Sequence, residues 1–337
     1  MKKILLLLFL PVMALHATPA LPSLGDARIV VLANNLQNYY YNYWESDRPS
    51  YDDAAGFELK TSRIVDMIIA SEADIFAFCE VEAKPITLDY LAEELNRVAG
   101  VNYYAAVSDG IYVETDSYDN AIKSGFVYRS DKVKPYGDDV AATNSVYYKN
   151  TMRIQAWEEL SSGERFTLSM NHFKAGQNDS DKNQRVKNAN WLMSALSSSS
   201  KVKDPDILIM GDLNCQMYED AISVIEDHGY EEQLLRFDEN AYSYIYKGSR
   251  ELIDHAFANS TMAEQITGAV VWHTNTSVSY SKRYSDHDAV MVGLRLGDEQ
   301  SLESIRISDP SVQKILRNGQ LIILRSGVEY TLTGQHL

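Results

Sequence analysis

Short apolar runs that end in polar residues alternate along this chain with stretches of helical spacing. That pattern predicts interleaved strands and helices rather than a repeat array. Residues 29–33 read as a strand that stops at Asn34 and Asn35, and residues 73–79 as a buried strand that ends at Glu80. Between them, Ile64, Val65, Ile68 and Ile69 share one face of a helix predicted over 61–71. Strands follow over 121–129, 152–160 and 165–171, the last alternating Phe166, Leu168 and Met170 before it meets His172. Val186, Ala189, Leu192, Met193 and Leu196 set a helix over 181–196. A strand over 206–210 then runs into Gly211-Asp212-Leu213-Asn214. A helix over 219–228 stops at Gly229, a natural helix-terminating residue. Strands over 251–258, 269–273 and 289–296 complete the series.

The recurring event is a strand that delivers polar side chains at its end, which is where ligands bind in open α/β sheets. The fold class expected is therefore α/β, with the catalytic domain over 25–297. Residues 298–311 are polar and acidic and read as a linker. Within 312–337, apolar runs flank Ser326-Gly327 as a β-hairpin too small to hold its own core.

Composition changes the picture at the ends and on the surface. Met1-Lys2-Lys3, the apolar run 4–15 and the small residues Ala17 and Ala20 read as a signal peptide over 1–20, too short to span a bilayer. The expected location is extracellular or at the cell surface, with the periplasm as an alternative. Loss of Lys2 and Lys3 with that segment takes the net charge from −16 to −18. Such a chain lacks the basic footprint of a passive nucleic-acid binder. An acidic enzyme still accepts a phosphodiester when bound metal supplies the local positive charge. The two cysteines, Cys79 and Cys215, exclude a disulfide framework and read as small core residues, with a single bridge between them as the alternative.

The strand ends carry the groups phosphodiester hydrolysis needs: a cation site, a base for water and a donor for the leaving or phosphate oxygen. Glu80 ends an apolar strand, where a carboxylate requires a cation, hydrogen bonds or a structural ion pair. Asp212 and Asn214 alternate by two and face the same way, after a glycine that permits a bend or close approach. Asn171-His172 is a second polar strand end. Asp286-His287 sets a carboxylate beside an imidazole, and Asp254 is placed to orient His287, because His255 falls on the opposite strand face. Zinc spacings such as His-x-x-His are absent, and oxygen-rich ligands favour Mg²⁺, with Mn²⁺ or Ca²⁺ as alternatives. The aromatic segment 39–44 reads as loop packing, with stacking on bases as the alternative.

Taken in order, Asn35-Leu-Gln-Asn-Tyr-Tyr40, Phe78-Cys-Glu-Val-Glu82, Asn171-His-Phe-Lys174, Gly211-Asp-Leu-Asn214 and Ser285-Asp-His287 resemble the endonuclease/exonuclease/phosphatase superfamily. Its fold is that of pancreatic deoxyribonuclease, which implies a four-layer sandwich of two packed mixed β-sheets flanked by helices. Ile122-Lys-Ser-Gly-Phe126, Gln184-Arg-Val186, Tyr242-Ser-Tyr244 and Leu252-Ile-Asp-His-Ala256 resemble its extracellular nuclease branch. Ala175 and Cys79 depart from the family pattern without removing a catalytic group.

The resemblance implies that Glu80 is the main metal ligand, joined by Asn35 and Asp286, and that His287 is the base, oriented by Asp254. It implies that Asp212 and Asn214 position water and phosphate, that His172 donates to the phosphate or leaving oxygen, and that Asn35, Arg153 and Asn171 contact substrate. The activity expected is a secreted, metal-dependent nuclease acting on DNA, with RNA as a further substrate. The alternative is a phosphomonoesterase or a phospholipid or sphingomyelin phosphodiesterase. Asn318 to Arg325, Gly327, Tyr330 and Gly334-Gln335 resemble the sorting tail of type IX secretion, which implies export machinery as a partner.

Overall fold

The computed structural model describes residues 19–41, 50–84, 86–107, 122–141, 152–198, 202–297, 312–317, 320–325 and 328–330. The expected signal segment lies outside these except for its last two residues, as do the expected linker and residues 42–44 of the aromatic segment. The chain divides into two compact units, Met1–Leu296 and Gly297–Leu337.

The first unit opens with a β-α-β unit: β1 (Ile29–Tyr39), α1 (Ala54–Ser71) and β2 (Ile75–Glu82). After α2 (Ile86–Ala99) come β3 (Tyr104–Ala106), β4 (Ile122–Arg129), β5 (Val133–Ala141) and β6 (Met152–Glu159). A second β-α-β unit follows, β7 (Arg165–His172), α3 (Asp179–Leu196) and β8 (Ile207–Asp212). The remainder is α4 (Asp220–Asp227), β9 (Tyr230–Glu232), α5 (Gln233–Phe237), β10 (Tyr244–Tyr246), β11 (Ser249–Glu251), β12 (Asp254–Asn259), α6 (Ser260–Ala263), β13 (Ile266–Trp272) and β14 (Ala289–Leu294).

Two six-stranded mixed sheets result, in the orders β13-β14-β1-β2-β4-β3 and β5-β6-β7-β8-β12-β9, with β10-β11 as a separate hairpin. Each large sheet contains one parallel pair, β1 with β2 and β7 with β8, and its helix makes the crossover. Between the sheets lies a core in which Val31, Ala33, Ala77 and Phe126 of the first meet Trp157, Leu168, Met210 and Ala256 of the second. The outer face of the first sheet packs Leu32, Phe76 and Phe78 under Ile64 and Ile68 of α1 and Leu91 and Leu95 of α2. The outer face of the second packs Ile209 and Phe257 under Ala189 and Leu192 of α3 and Ile222 of α4. Helix, sheet, sheet, helix is the four-layer order expected.

Several boundaries differ from the sequence reading for definable reasons. Helix α1 starts at Ala54 because the Asp53 carboxylate accepts the Gly56 amide and caps it. The expected span 61–71 rests on Ile64, Val65, Ile68 and Ile69, and the turns before it bury only Phe57 and Lys60. Helix α2 was missed, although Leu88, Leu91, Ala92 and Leu95 bury one face. The strand expected over 251–258 is two strands separated at Leu252-Ile253. In the aromatic segment, Tyr39 stacks on Phe57 at 5.5 Å and Tyr41 meets Tyr90 at 4.8 Å, so those rings serve packing. Cys79 and Cys215 are both buried free thiols, and burial raises both above the usual thiol range, so no bridge forms.

In the second unit the expected hairpin has a third strand. Val312–Arg317, Gln320–Arg325 and Val328–Tyr330, here β15 to β17, form one antiparallel sheet. The first strand carries no clean alternation, which hid it from pattern reading.

Gly211 reaches the site through a backbone constraint. Its φ is +127°, and a Cβ there would lie 2.1 Å from the Asn171 carbonyl oxygen. The close approach is to the backbone of β7, the parallel neighbour. Gly211→Ala should therefore cost roughly 3 kcal/mol or more, from backbone strain and overpacking together. Urea denaturation checks it, and a loss below about 1 kcal/mol would contradict the constraint.

Candidate active site

Both parallel pairs end on the same set of side chains. Strand β1 does not stop at Asn35 but bulges: Asn35 pairs with Cys79 and Tyr39 with Val81, so Leu36, Gln37 and Asn38 together oppose Glu80. Gln37, Asn38 and Glu80 all have positive φ, at 49°, 55° and 53°. Non-glycine residues hold that conformation when their surroundings compensate. Here the Gln37 amide donates to Asn35 Oδ1 at 2.8 Å, and the Asn38 amide donates to Glu80 Oε2 at 3.0 Å.

Because a backbone N–H occupies Asn35 Oδ1, the orientation of that amide is fixed and its nitrogen faces the site. Asn35 Nδ2 donates to Glu80 Oε1 and to Asp212 Oδ2, both at 3.0 Å. The second lone pair of Oδ1 is left for the metal or phosphate contact expected of Asn35. The first is used within the bulge, and the nitrogen bridges two carboxylates.

Asp212 is the hub. Its Oδ1 accepts the Asn214 amide at 2.9 Å, and its Oδ2 lies 3.7 Å from both His172 Nε2 and His287 Nε2. His172 Nε2 is also 3.7 Å from Glu80 Oε1. Asn214, at φ 52°, donates from Nδ2 to the Phe173 carbonyl at 3.2 Å. The loop after His172 is held by fully buried Arg185, which donates to the Lys174 and Gly176 carbonyls and pairs with Glu219.

Strand β12 pairs Asp254 opposite Asp212. The Asp254 carboxylate accepts from His287 Nδ1 at 2.7 Å, which leaves Nε2 directed at Asp212. His255 points the other way, with Nε2 on the Cys215 carbonyl at 2.9 Å. The Ser243 hydroxyl accepts the Ile253 and Asp254 amides, and the Tyr244 ring lies 4.7 Å from the His287 ring. Ser285 locks the last loop onto the first sheet by donating to the Asn35 carbonyl at 2.5 Å and accepting the His287 amide at 3.2 Å. Asn275 Nδ2 donates to the His287 carbonyl at 2.7 Å. Asp286 is partly exposed, with Oδ1 4.0 Å from His287 Nε2.

Two other expected site residues are built into the scaffold instead. Asn171 is fully buried; its Nδ2 donates to the Ser169 and Met210 carbonyls and its Oδ1 accepts from Ser169, so the amide braces β7 against β8. Arg153 is 3% exposed, and its guanidinium forms an ion pair with Asp139 of β5. Neither is presented as a substrate contact. Both calls followed sequence position, which does not report what a side chain is already bonded to.

The electrostatics follow from burying acids together. Burial by itself lowers His287, but the carboxylates of Asp254, Asp212 and Asp286 outweigh it and hold the imidazole well above its ordinary range. Burial raises Asp286, which Glu80 and Asp212 push further against the pull of His287. Among the described residues, no Lys or Arg forms an ion pair with Glu80, Asp212 or Asp286. A clustered, oxygen-rich, unneutralised set of this kind fits a hard divalent cation. Ligand atoms of Asp212, Asp254 and His287 also lie within 4.8 Å of one another. Asp254 there is engaged by the His287 Nδ1 proton, which leaves Asp212 and His287 Nε2 as the open pair.

Sequence reasoning missed Lys60. Its side chain is 5% exposed on α1, and burial lowers it to about 7 against the raising influence of Glu80 and Asp286. The available signal was a lysine on the stripe formed by Phe57, Ile64 and Ile68.

Comparison with known proteins agrees with this geometry. Residues 35–287 match the Endonuclease/Exonuclease/phosphatase family. Among solved structures, the mannosyl-6-phosphatase of Bacteroides thetaiotaomicron is similar in fold, with TM-score 0.57, 16% identity, and coverage of 80% of this chain and 100% of that one. The human Nocturnin catalytic domain gives TM-score 0.55 and 13% identity, covering 80% of this chain and 94% of that one. D. rerio TDP2, complexed with a single-strand DNA product, gives TM-score 0.51 and 14% identity, covering 79% and 98%. No curated protein sequence matches the chain.

In metal-free protein, an NMR titration of His287 should show a midpoint above the ordinary value of about 6.5. Because the Asp254 carboxylate stabilises the imidazolium, Asp254→Asn should move that midpoint down. An unmoved midpoint would contradict the pairing.

Proposed function

Because the chain belongs to the endonuclease/exonuclease/phosphatase family and is thus a hydrolase of phosphoester bonds, we propose that it is a secreted, divalent-metal-dependent nuclease that cuts DNA endonucleolytically, and also RNA. The observation that carries the hydrolytic half of this reading is the pair of imidazole nitrogens, His172 Nε2 and His287 Nε2, each 3.7 Å from the one Asp212 oxygen. An in-line displacement needs a proton acceptor on the water side and a donor on the phosphate or leaving-group side. Two histidines flanking one carboxylate supply both.

In that reading the Nδ1 proton of His287 stays with Asp254, and Nε2 takes a proton from water as its oxygen attacks phosphorus. The bond from phosphorus to the leaving oxygen breaks as the new one forms. Asp212 and Asn214 hold the water and a phosphate oxygen, and His172 donates to the phosphate or to the departing oxygen. Glu80 and Asp286 would hold Mg²⁺, or Mn²⁺ or Ca²⁺, which when bound offsets the negative charge of the reacting phosphate. The choice of a polynucleotide rests on the segments resembling extracellular nucleases, and export on the N-terminal and C-terminal patterns.

A small phosphorylated substrate is the second reading, favoured by one observation. A net charge of −16 repels a polyanion beyond the reach of the metal site. The fold likeness to a mannosyl-6-phosphatase makes a sugar phosphate the substrate to compare.

Closed circular DNA, linear DNA, RNA and a sugar phosphate, each with Mg²⁺ or with chelator, separate the readings. Cutting of the closed circle that chelator stops is the expected result; an intact plasmid beside rapid phosphate release from the sugar would select the second. His287→Ala should lower kcat by roughly a hundred- to ten-thousand-fold. Glu80→Ala should raise the metal concentration needed for activity, and an active variant with unchanged metal response would remove Glu80 from the ligand set.

A further inference from the structure

The side chain that closes the catalytic bulge is on the helix behind it. Helix α1 buries Phe57, Thr61, Ile64, Val65 and Ile68 on one stripe, and Lys60 occupies that same stripe. A lysine so placed is costly unless its ammonium is bonded. Its Nζ donates to the Gln37 carbonyl at 2.6 Å and to the Ser50 hydroxyl.

Gln37 is the middle residue of the three that oppose Glu80. It is also the first of the two consecutive left-handed residues. Its amide fixes Asn35, whose nitrogen holds Glu80 Oε1, and the next amide holds Glu80 Oε2. Both oxygens of the proposed metal ligand are thus aimed by a strained loop whose central carbonyl is anchored by Lys60. One turn further along α1, Arg63 donates to the Arg283 carbonyl at 2.9 Å and the Ser281 carbonyl at 2.6 Å. That segment leads directly into Tyr284 and Asp286. The same helix therefore grips both loops that carry the acids.

We propose that Lys60 is a positioning residue for the metal site, acting through the Gln37–Asn38 bulge to aim the Glu80 carboxylate. The inference rests on the reading that Glu80 holds a divalent cation. Lys60 touches neither substrate nor metal in this arrangement.

The test is calorimetric titration of metal-free, full-length protein with Mn²⁺, alongside its melting temperature. Lys60→Met puts an apolar chain of similar length on an apolar stripe, so folding should be retained while Mn²⁺ affinity falls roughly ten- to a hundred-fold, as when a ligand's supporting partner is removed. In a Glu80→Gln background the same substitution should have little further effect, because the two act as a unit. If Lys60→Met does not fold, Ser50→Ala removes the ammonium's second partner and should weaken Mn²⁺ binding by about two- to five-fold. Unchanged affinity in a folded variant, or effects of Lys60 and Glu80 that simply add, would overturn the proposal. A wild-type protein that binds no Mn²⁺ would instead overturn the metal reading beneath it.

Discussion

One amide group ties the two halves of this molecule together where the chemistry is proposed to occur. Asn35 Nδ2 donates at once to Glu80, on the first sheet, and to Asp212, on the second. Its orientation is set by a backbone N–H on its oxygen, so it faces both carboxylates as a donor. The sheets pack through an apolar core that specifies contact but carries no direction. The directional bonds that align their strand ends include these two and that from Ser285 to the Asn35 carbonyl. A carboxylate or apolar residue in place of Asn35 would supply neither of these two donor bonds, and a hydroxyl only one.

The surrounding acids make sense on that footing. Glu80, Asp212 and Asp254 sit at strand ends and Asp286 in the loop before β14, and burial raises Asp254 and Asp286 by disfavouring their charged forms. Among the described residues the fold answers with donors rather than with Lys or Arg ion pairs: backbone amides at Asn38 and Asn214, the Asn35 amide, and two imidazoles. Donors of that kind keep the carboxylates in place while leaving the site short of positive charge. A full salt bridge would remove the shortage and with it the affinity for a cation.

Much of the architecture was legible because the β-α-β units leave a clear trace: an apolar run, a helical stripe and a second apolar run ending in polar residues. Glu80, Asp212, Asp254, His172 and His287 stand out in the sequence because each lies at or beside a strand end, where burial makes polarity conspicuous. For Asn171 and Arg153, a position near the site does not reveal that the Met210 carbonyl or Asp139 already holds the side chain. Lys60 was passed over for the opposite reason. A lysine does not match the apolar spacing by which a helix face is read, although a polar residue on a buried stripe is itself informative. The bulge in β1 was invisible, because a three-against-one register depends on a partner strand about forty residues away.

The pairing of β1 with β14 has a bearing on how this catalytic unit can be attached to anything else. Ile29 lies opposite Leu294, so the chain enters and leaves the unit side by side, and the Arg28 amide donates to the Leu294 carbonyl at 2.8 Å. Asn35 lies six positions further along β1, at roughly 3.3 Å per residue and thus about 20 Å away. His287 likewise precedes the β14 end that pairs with Ala33. The segment before β1 runs back along β13, where Trp272 Nε1 donates to the Pro19 and Ala20 carbonyls beside the strand end that pairs with Ala289. The first described residues therefore lie near the site end of the sheet, while the start of β1 and the end of β14 lie together at the other end.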